Sequence, residues 1–317
     1  MNVITAEDLR KTFKTYKKAP GLFRREAVLV NAVDGVSFTV REGAVCGLLG
    51  PNGAGKSTTV KMLCGALFPS GGRLDIMGFS PARDRKKYVA HIGAVFGQKS
   101  QLIWDIPPIE SFKMNRAIYG ISRADYKSIS DELVDLLGVA EVLEKPVRVL
   151  SLGERMKCEF IMAMLHRPRV VFLDEPTIGL DVIAKAGVRA FIKKMNERGT
   201  TFILTTHDLE DVEHLAGDII IINHGKKVFD DSLDNLRRRM GDKKLISLTL
   251  NKPPAPGALD GMAVTGLSAP SDLELTIEAA TRDIGGFMET LFGRLSVRDI
   301  SVKDPPMEDI ITALYKQ

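Results

Sequence analysis

The chain has 317 residues, 44% hydrophobic and 26% charged, with a formal net charge of +4. Such a length holds two domains, or one large domain with an appendage, and the composition is that of a soluble globular protein. So mild a charge gives no argument for a nucleic-acid partner. The longest apolar runs, such as Asp218 to Asn223, are strand-sized and fall short of the ~18 residues that cross a bilayer. The N-terminus, Met1 to Asp8, lacks the basic and apolar blocks of a signal peptide. Cys46, Cys64 and Cys158 form no CxxC pair and sit in apolar or helical settings, the pattern of buried thiols in a reducing compartment.

In chain order, Asn2 to Leu9 predict a first strand. A basic stretch follows, with Arg10, Lys11, Lys14, Lys17, Lys18, Arg24 and Arg25 interleaved with Phe13, Tyr16, Leu22 and Phe23. A solvated surface insertion is the favoured reading, and a hairpin that touches anionic lipid headgroups or a membrane partner is the other. Alternation resumes as a strand from Ala32 to Val40, and Val45 to Leu49 form an apolar run of strand length. Thr59 to Leu67 read as a helix, and Arg73 to Met77 and Ile92 to Gln98 as strands. From about Asp105 to Val149 the period becomes helical, with Ile109 to Tyr119 and Arg123 to Leu137 the clearest segments. Ser151 to Leu165 continue it, so a helical subdomain of about 105–165 is expected between strands. Arg169 to Pro176, Thr201 to His207 and Asp218 to Asn223 read as strands, separated by helices over Val182 to Arg198 and Asp208 to Leu215. Strand and helix alternate again from about residue 243, without any nucleotide signal, which predicts a small α+β domain over 243–317 after a main domain of 1–240.

Gly50-Pro51-Asn52-Gly53-Ala54-Gly55-Lys56-Ser57-Thr58 matches G-x-x-x-x-G-K-[ST] between a strand and a helix. The glycines let successive N–H groups point at one anion, and the helix beginning near Lys56 aims its positive end there. Lys56 brings a charge to the β- and γ-phosphates, and Ser57 a hydroxyl to Mg²⁺. Asp174 and Glu175 end an apolar strand, which places them at the carboxyl edge of a parallel sheet, where ligands bind. Asp174 then suits Mg²⁺, directly or through water, and Glu175 is left as the general base for an attacking water. His207 ends another strand on that edge and can contact a γ-phosphate oxygen. Ser151 is an N-cap, and Glu154 completes a capping box. The same helix end is also a second anion-directed terminus, although the chain has one P-loop.

The order Gly50 to Thr58, Gln98, Leu150-Ser151-Leu152-Gly153-Glu154, Val170 to Pro176, Gly179-Leu180-Asp181 and His207 resembles the ATP-binding cassette (ABC) ATPases over about residues 3–240. The Ser151 stretch matches the family signature written LSGGQ and departs from it at Leu152 and Glu154. The resemblance implies an α/β P-loop fold with an inserted helical subdomain, and a head-to-tail pair of such subunits. ATP would lie between one P-loop and the other copy's Ser151, Gly153 and Glu154. It further implies that Gln98 links Mg²⁺ or the attacking water to the membrane partner, that Asp181 acts across the dimer, and that Phe13 stacks on adenine, with Tyr16 and Phe23 as alternatives. Gly97 to Asp105 and Thr177 to Val182 look like bacterial ATPases that serve ABC-2-type permeases, mostly exporters. The implied protein is a peripheral ATPase on the inner face of the cell membrane, working with separate permease chains. A non-transport ATPase acting on nucleic acid or ribosomes is the alternative. It is disfavoured because a long coiled-coil insertion, zinc-binding cysteines and a second cassette are absent from the sequence.

Overall fold

The computed structural model describes residues 1–18, 25–97, 99–239, 243–281 and 283–315. Gln98 and residues 19–24 of the basic stretch lie outside them. The chain divides into two units, Met1–Leu233 and Asp234–Gln317.

In the first unit, β1 (Asn2–Lys18) and β2 (Arg25–Arg41) pair antiparallel, from Asn2 opposite Arg41 to Lys18 opposite Arg25. The strand thus runs past Leu9 and takes up much of the basic stretch. Phe13, Thr15 and Tyr16 stand opposite Val30, Val28 and Ala27, so β-formers on both arms carry the pairing. The lysines between them add to it: Lys11 lies over the Phe13 ring and Lys14 over Tyr16, at 5.3 and 5.8 Å from the centroids.

The chain continues through β3 (Val45–Leu49), α1 (Lys56–Leu63), β4 (Gly71–Ile76), α2 (Arg85–Tyr88), β5 (Ile92–Phe96), α3 (Pro108–Ile118), α4 (Arg123–Leu137) and α5 (Leu152–Met164). Then come β6 (Val170–Asp174), α6 (Val182–Glu197), β7 (Thr201–Thr205), α7 (Leu209–Leu215), β8 (Asp218–Asn223) and β9 (Lys226–Ser232). A small sheet has the order β2-β1-β4, and the main sheet β5-β6-β7-β3-β8-β9. The main sheet is parallel from β5 to β8, and β9 joins antiparallel. Its strands read as continuous apolar runs because both faces are covered. Val171 and Leu173 point into one core cluster, and Val170 and Phe172 into the other. Each such side chain contributes about 1.5–3 kcal/mol on burial.

Parallel pairing has a direct consequence for the site: the carboxyl ends of β3, β5, β6 and β7 all fall on one edge of the sheet. The helical block that follows β5 contains no strand among the described residues, as its period predicts. α4 shows why it is stable. Ser122 caps its start, accepting from Asp125 N at 3.0 Å, Gly138 ends it in the left-handed conformation, and Ile129, Leu133 and Leu137 bury one face at four-residue spacing.

α8 (Leu233–Arg239) begins at the boundary between the units. The second unit holds β10 (Lys243–Leu250), β11 (Val264–Ser271), β12 (Glu274–Ala280), α9 (Ile284–Arg294), β13 (Val297–Lys303) and α10 (Met307–Tyr315). Its antiparallel sheet has the order β11-β12-β10-β13. Ile246, Leu248, Leu275 and Ile277 of the sheet pack with Phe287 and Leu291 of α9. The sequence does not predict β11. It is an edge strand carrying Gly266 and Pro270, which edges tolerate and which hide it from pattern reading.

Candidate nucleotide site

β3 feeds the loop 50–55 into α1 at the centre of the main sheet. The backbone there demands glycine. Gly50 and Gly55 take φ values of 154° and 109°, and a Cβ would come within 2.2 Å of the Ile222 carbonyl and 2.4 Å of the Ala32 carbonyl respectively. Lys56 is 7% exposed, and its ammonium donates to the carbonyls of Gly50 at 2.7 Å and Pro51 at 3.2 Å. Burial lowers its pKa, opposed by the carboxylates of Glu175 and Asp174. Asn52, Gly53, Ala54, Gly55, Lys56, Ser57 and Thr58 line a cleft of about 450 Å³, completed by Ala32, Glu175, Ile178 and His207.

The acidic strand end is split by the turn that follows it. Asp174 closes β6, and Glu175 lies just beyond it with φ 56°, a left-handed conformation unusual outside glycine. Asp174 Oδ1 accepts from Ser57 Oγ at 3.1 Å and from Thr205 Oγ1 at 2.5 Å. Glu175 Oε2 meets His207 Nδ1 at 2.6 Å. Glu175 is largely shielded while His207 is exposed, so the pair sits at the cleft mouth with one polar face toward solvent. His207 follows β7 by two residues rather than ending it. The register explains why the groups meet: Asp174 stands opposite Thr205 in the β6–β7 pairing. Thr205 is a site residue that the motifs do not point to. Its signal is a hydroxyl that closes β7 after the apolar run Phe202 to Leu204.

A second group of expected residues gathers elsewhere. Ser151 caps α5, accepting from Glu154 N at 3.2 Å, while Glu154 Oε2 accepts from Ser151 N at 2.8 Å. Hydrogen bonds that the Ser151 N–H and hydroxyl donate to it hold the Glu154 carboxyl below its ordinary pKa. Asp181 caps α6, accepting from Ala184 N at 2.8 Å. The two caps are neighbours, since a Cβ on Gly153 would stand 3.0 Å from the Ala184 Cβ, and Leu152 packs against Gly179. That contact gives Leu152 a place in the fold. Ser151 and Asp181 are exposed, Val182 and Ile183 beside them are 82% and 85% exposed, and none of these residues lines the cleft. Phe13 does not line it either. It pairs with Val30, two residues along β2 from the cleft residue Ala32. A larger surface hollow of about 800 Å³ around Arg73, Asp75, Arg83 and Asp84 holds none of these groups.

A parallel sheet with a glycine-rich anion loop, a strand-end carboxylate on its serine and a carboxylate–histidine pair at the edge defines a P-loop nucleotide triphosphatase. The comparisons with known proteins agree. A family profile described as "ABC transporter" matches residues 33–178. The chain is 30% identical to the ABC transporter ATP-binding protein NatA of Bacillus subtilis (strain 168) over 234 residues, covering 74% of this chain and 91% of that protein. It is 28% identical over 290 residues to the daunorubicin/doxorubicin resistance ATP-binding protein DrrA of Streptomyces peucetius, covering 89% of this chain and 87% of that one. A solved dimeric ATP-binding cassette, in a post-hydrolysis state with ADP and phosphate, shares the fold with a TM-score of 0.63 at 21% identity, over 73% of this chain and 98% of that one. The chain belongs to the ABC transporter ATPase family: it is an ATP-binding, ATP-hydrolysing transporter subunit.

Proposed function

We propose that two copies of the chain close head to tail on ATP and power a separate permease that exports its cargo. The Glu175–His207 pair, held at 2.6 Å beside the P-loop, carries this reading. Glu175 takes the proton of the attacking water, His207 orients that carboxylate and faces the γ-phosphate, and Lys56 with the loop amides stabilises the phosphoryl charge. Ser57 and Asp174 suit Mg²⁺. They set two hard oxygens 3.1 Å apart, with Ser57 lining the cleft, and this ion is ordinarily held by one or two carboxylates plus phosphate oxygens. Among the described residues no cluster of three or more His, Cys, Asp or Glu would hold a metal alone. When bound, Mg²⁺ supplies positive charge against the phosphate oxygens.

Ser151, Gly153, Glu154 and Asp181 complete the cage from the second copy, with exposed Val182 and Ile183 at the contact. Phe13 stacks on adenine. Gln98 reports the site to the permease. The permease's cytoplasmic segment rests on the apolar groups of the helical block, where Trp104, Met114, Ile118 and Val149 are exposed. No helix among the described residues is long and apolar enough to cross a membrane, so this reading puts the chain on the membrane's inner face through that partner. Export is supported by relatives such as DrrA, named for daunorubicin/doxorubicin resistance. Replacing Glu175 by Gln should keep ATP binding, cut turnover by about 10²–10⁴-fold and accumulate an ATP-bound dimer on size exclusion. Unchanged turnover would remove Glu175 from the role of base.

A further inference from the structure

The loops that carry Glu175 and His207 are short, and Glu175 itself holds a left-handed backbone at φ 56°. A conformation of that kind persists where its surroundings over-determine it. The surroundings here converge on one carboxylate outside the cleft. Asp211, in α7, is 1% exposed. Its Oδ1 accepts from Arg189 Nε at 2.6 Å. Its Oδ2 accepts from Thr177 Oγ1 and, at 3.5 Å, faces Thr206 Oγ1. Thr177 lies two residues after Glu175, and Thr206 immediately precedes His207. Arg189 belongs to α6, the helix that Asp181 caps. Thr177 and Thr206 are both 2% exposed, so water does not compete for these bonds.

Charge closes the arrangement. Arg189 neutralises the buried Asp211, and also reaches Glu210 at 3.1 Å, while Lys185 of the same helix pairs with Asp208. A buried carboxylate left without such partners would be costly. With them it fixes three segments to one point: the loop after β6, the end of β7 and helix α6.

We infer that Asp211 is a positioning residue for hydrolysis, its Oδ2 holding the Glu175 loop and the His207 strand end in mutual register through Thr177 and Thr206, and its Oδ1 anchoring them through Arg189 to α6. The inference rests on the reading of Glu175 and His207 as the hydrolytic pair. A displaced base loses rate far more than it loses affinity, and an error of about 1 Å in placement costs up to ~10²-fold.

Steady-state ATPase kinetics of Thr177→Val test it, because valine keeps the volume and removes only the hydroxyl that donates to Asp211. The expected result is a fall in kcat of about tenfold or more with KM for ATP unchanged, restored by Thr177→Ser, while the unfolding temperature of each variant is recorded beside it. An unchanged kcat would overturn the inference. So would a fall that serine does not restore, or one matched by the loss of folded protein. Glu175→Gln run alongside separates the two claims. If it abolishes turnover while Thr177→Val does nothing, only the role of Asp211 fails. If Glu175→Gln also leaves turnover intact, the hydrolytic reading itself fails.

Discussion

The two ends of the nucleotide machinery are built differently. Around the P-loop the groups bond to one another across strands: Ser57 and Thr205 to Asp174, and His207 to Glu175. Around Ser151 the polar groups are satisfied locally, by a capping box within one helix turn and by Asp181 on its own helix, and the adjoining apolar residues face solvent. The first region is a site in itself. The second lies on the surface outside the cleft, and the proposed function gives it to the site of a second copy.

The contrast can be broken by matched variants. Lys56→Ala should weaken ATP binding to the single chain by roughly 100-fold, about 2.7 kcal/mol, in equilibrium titration with a fluorescent ATP analogue. Ser151→Asp should leave that affinity unchanged, because aspartate caps a helix as well as serine does. It should nevertheless abolish turnover, since it brings a negative charge toward the γ-phosphate. Equal loss of single-chain affinity in both variants would erase the distinction between the regions.

A smaller effect sharpens how the Ser151 helix is tied to the rest. Glu159 of α5 is 3% exposed and accepts from Ser100 Oγ at 2.5 Å and Gln101 N at 2.9 Å, just after Gln98. Burial raises its pKa above the ordinary 4.5, and the bond from Ser100 opposes that shift. The folded chain therefore holds this proton more tightly than the unfolded one, and stability is lost as pH rises from about 4.5 through the raised value. Glu159→Gln should flatten that part of the unfolding temperature profile. A profile parallel to that of the unaltered chain would show that Glu159 does not titrate there.

Much of this was legible in the residues. The P-loop, the Asp174 strand and the Ser151 capping box are local patterns, and each lies on the element that its period predicts. The turn at Glu175 was not legible, because a left-handed glutamate follows from tertiary contacts and not from propensity. Thr205 and Asp211 are hidden for a related reason: their partners are 31 and 34 residues away in sequence, brought close by the register of β6 on β7 for Thr205 and by the packing of α7 for Asp211. The hairpin is the less favoured reading of the basic stretch because lysines in sequence suggest a solvated loop, whereas the ammonium groups of Lys11 and Lys14 lie over the aromatic rings of a paired strand.

The most direct test of the divided site is complementation. Lys56→Ala and Ser151→Asp chains, each inactive alone, are mixed and assayed for ATP hydrolysis. A mixed pair has one cage with an intact P-loop on one chain facing an intact Ser151 on the other, so activity should return in the mixture and depend on its ratio. A mixture as inactive as its components would contradict a site completed by a second copy.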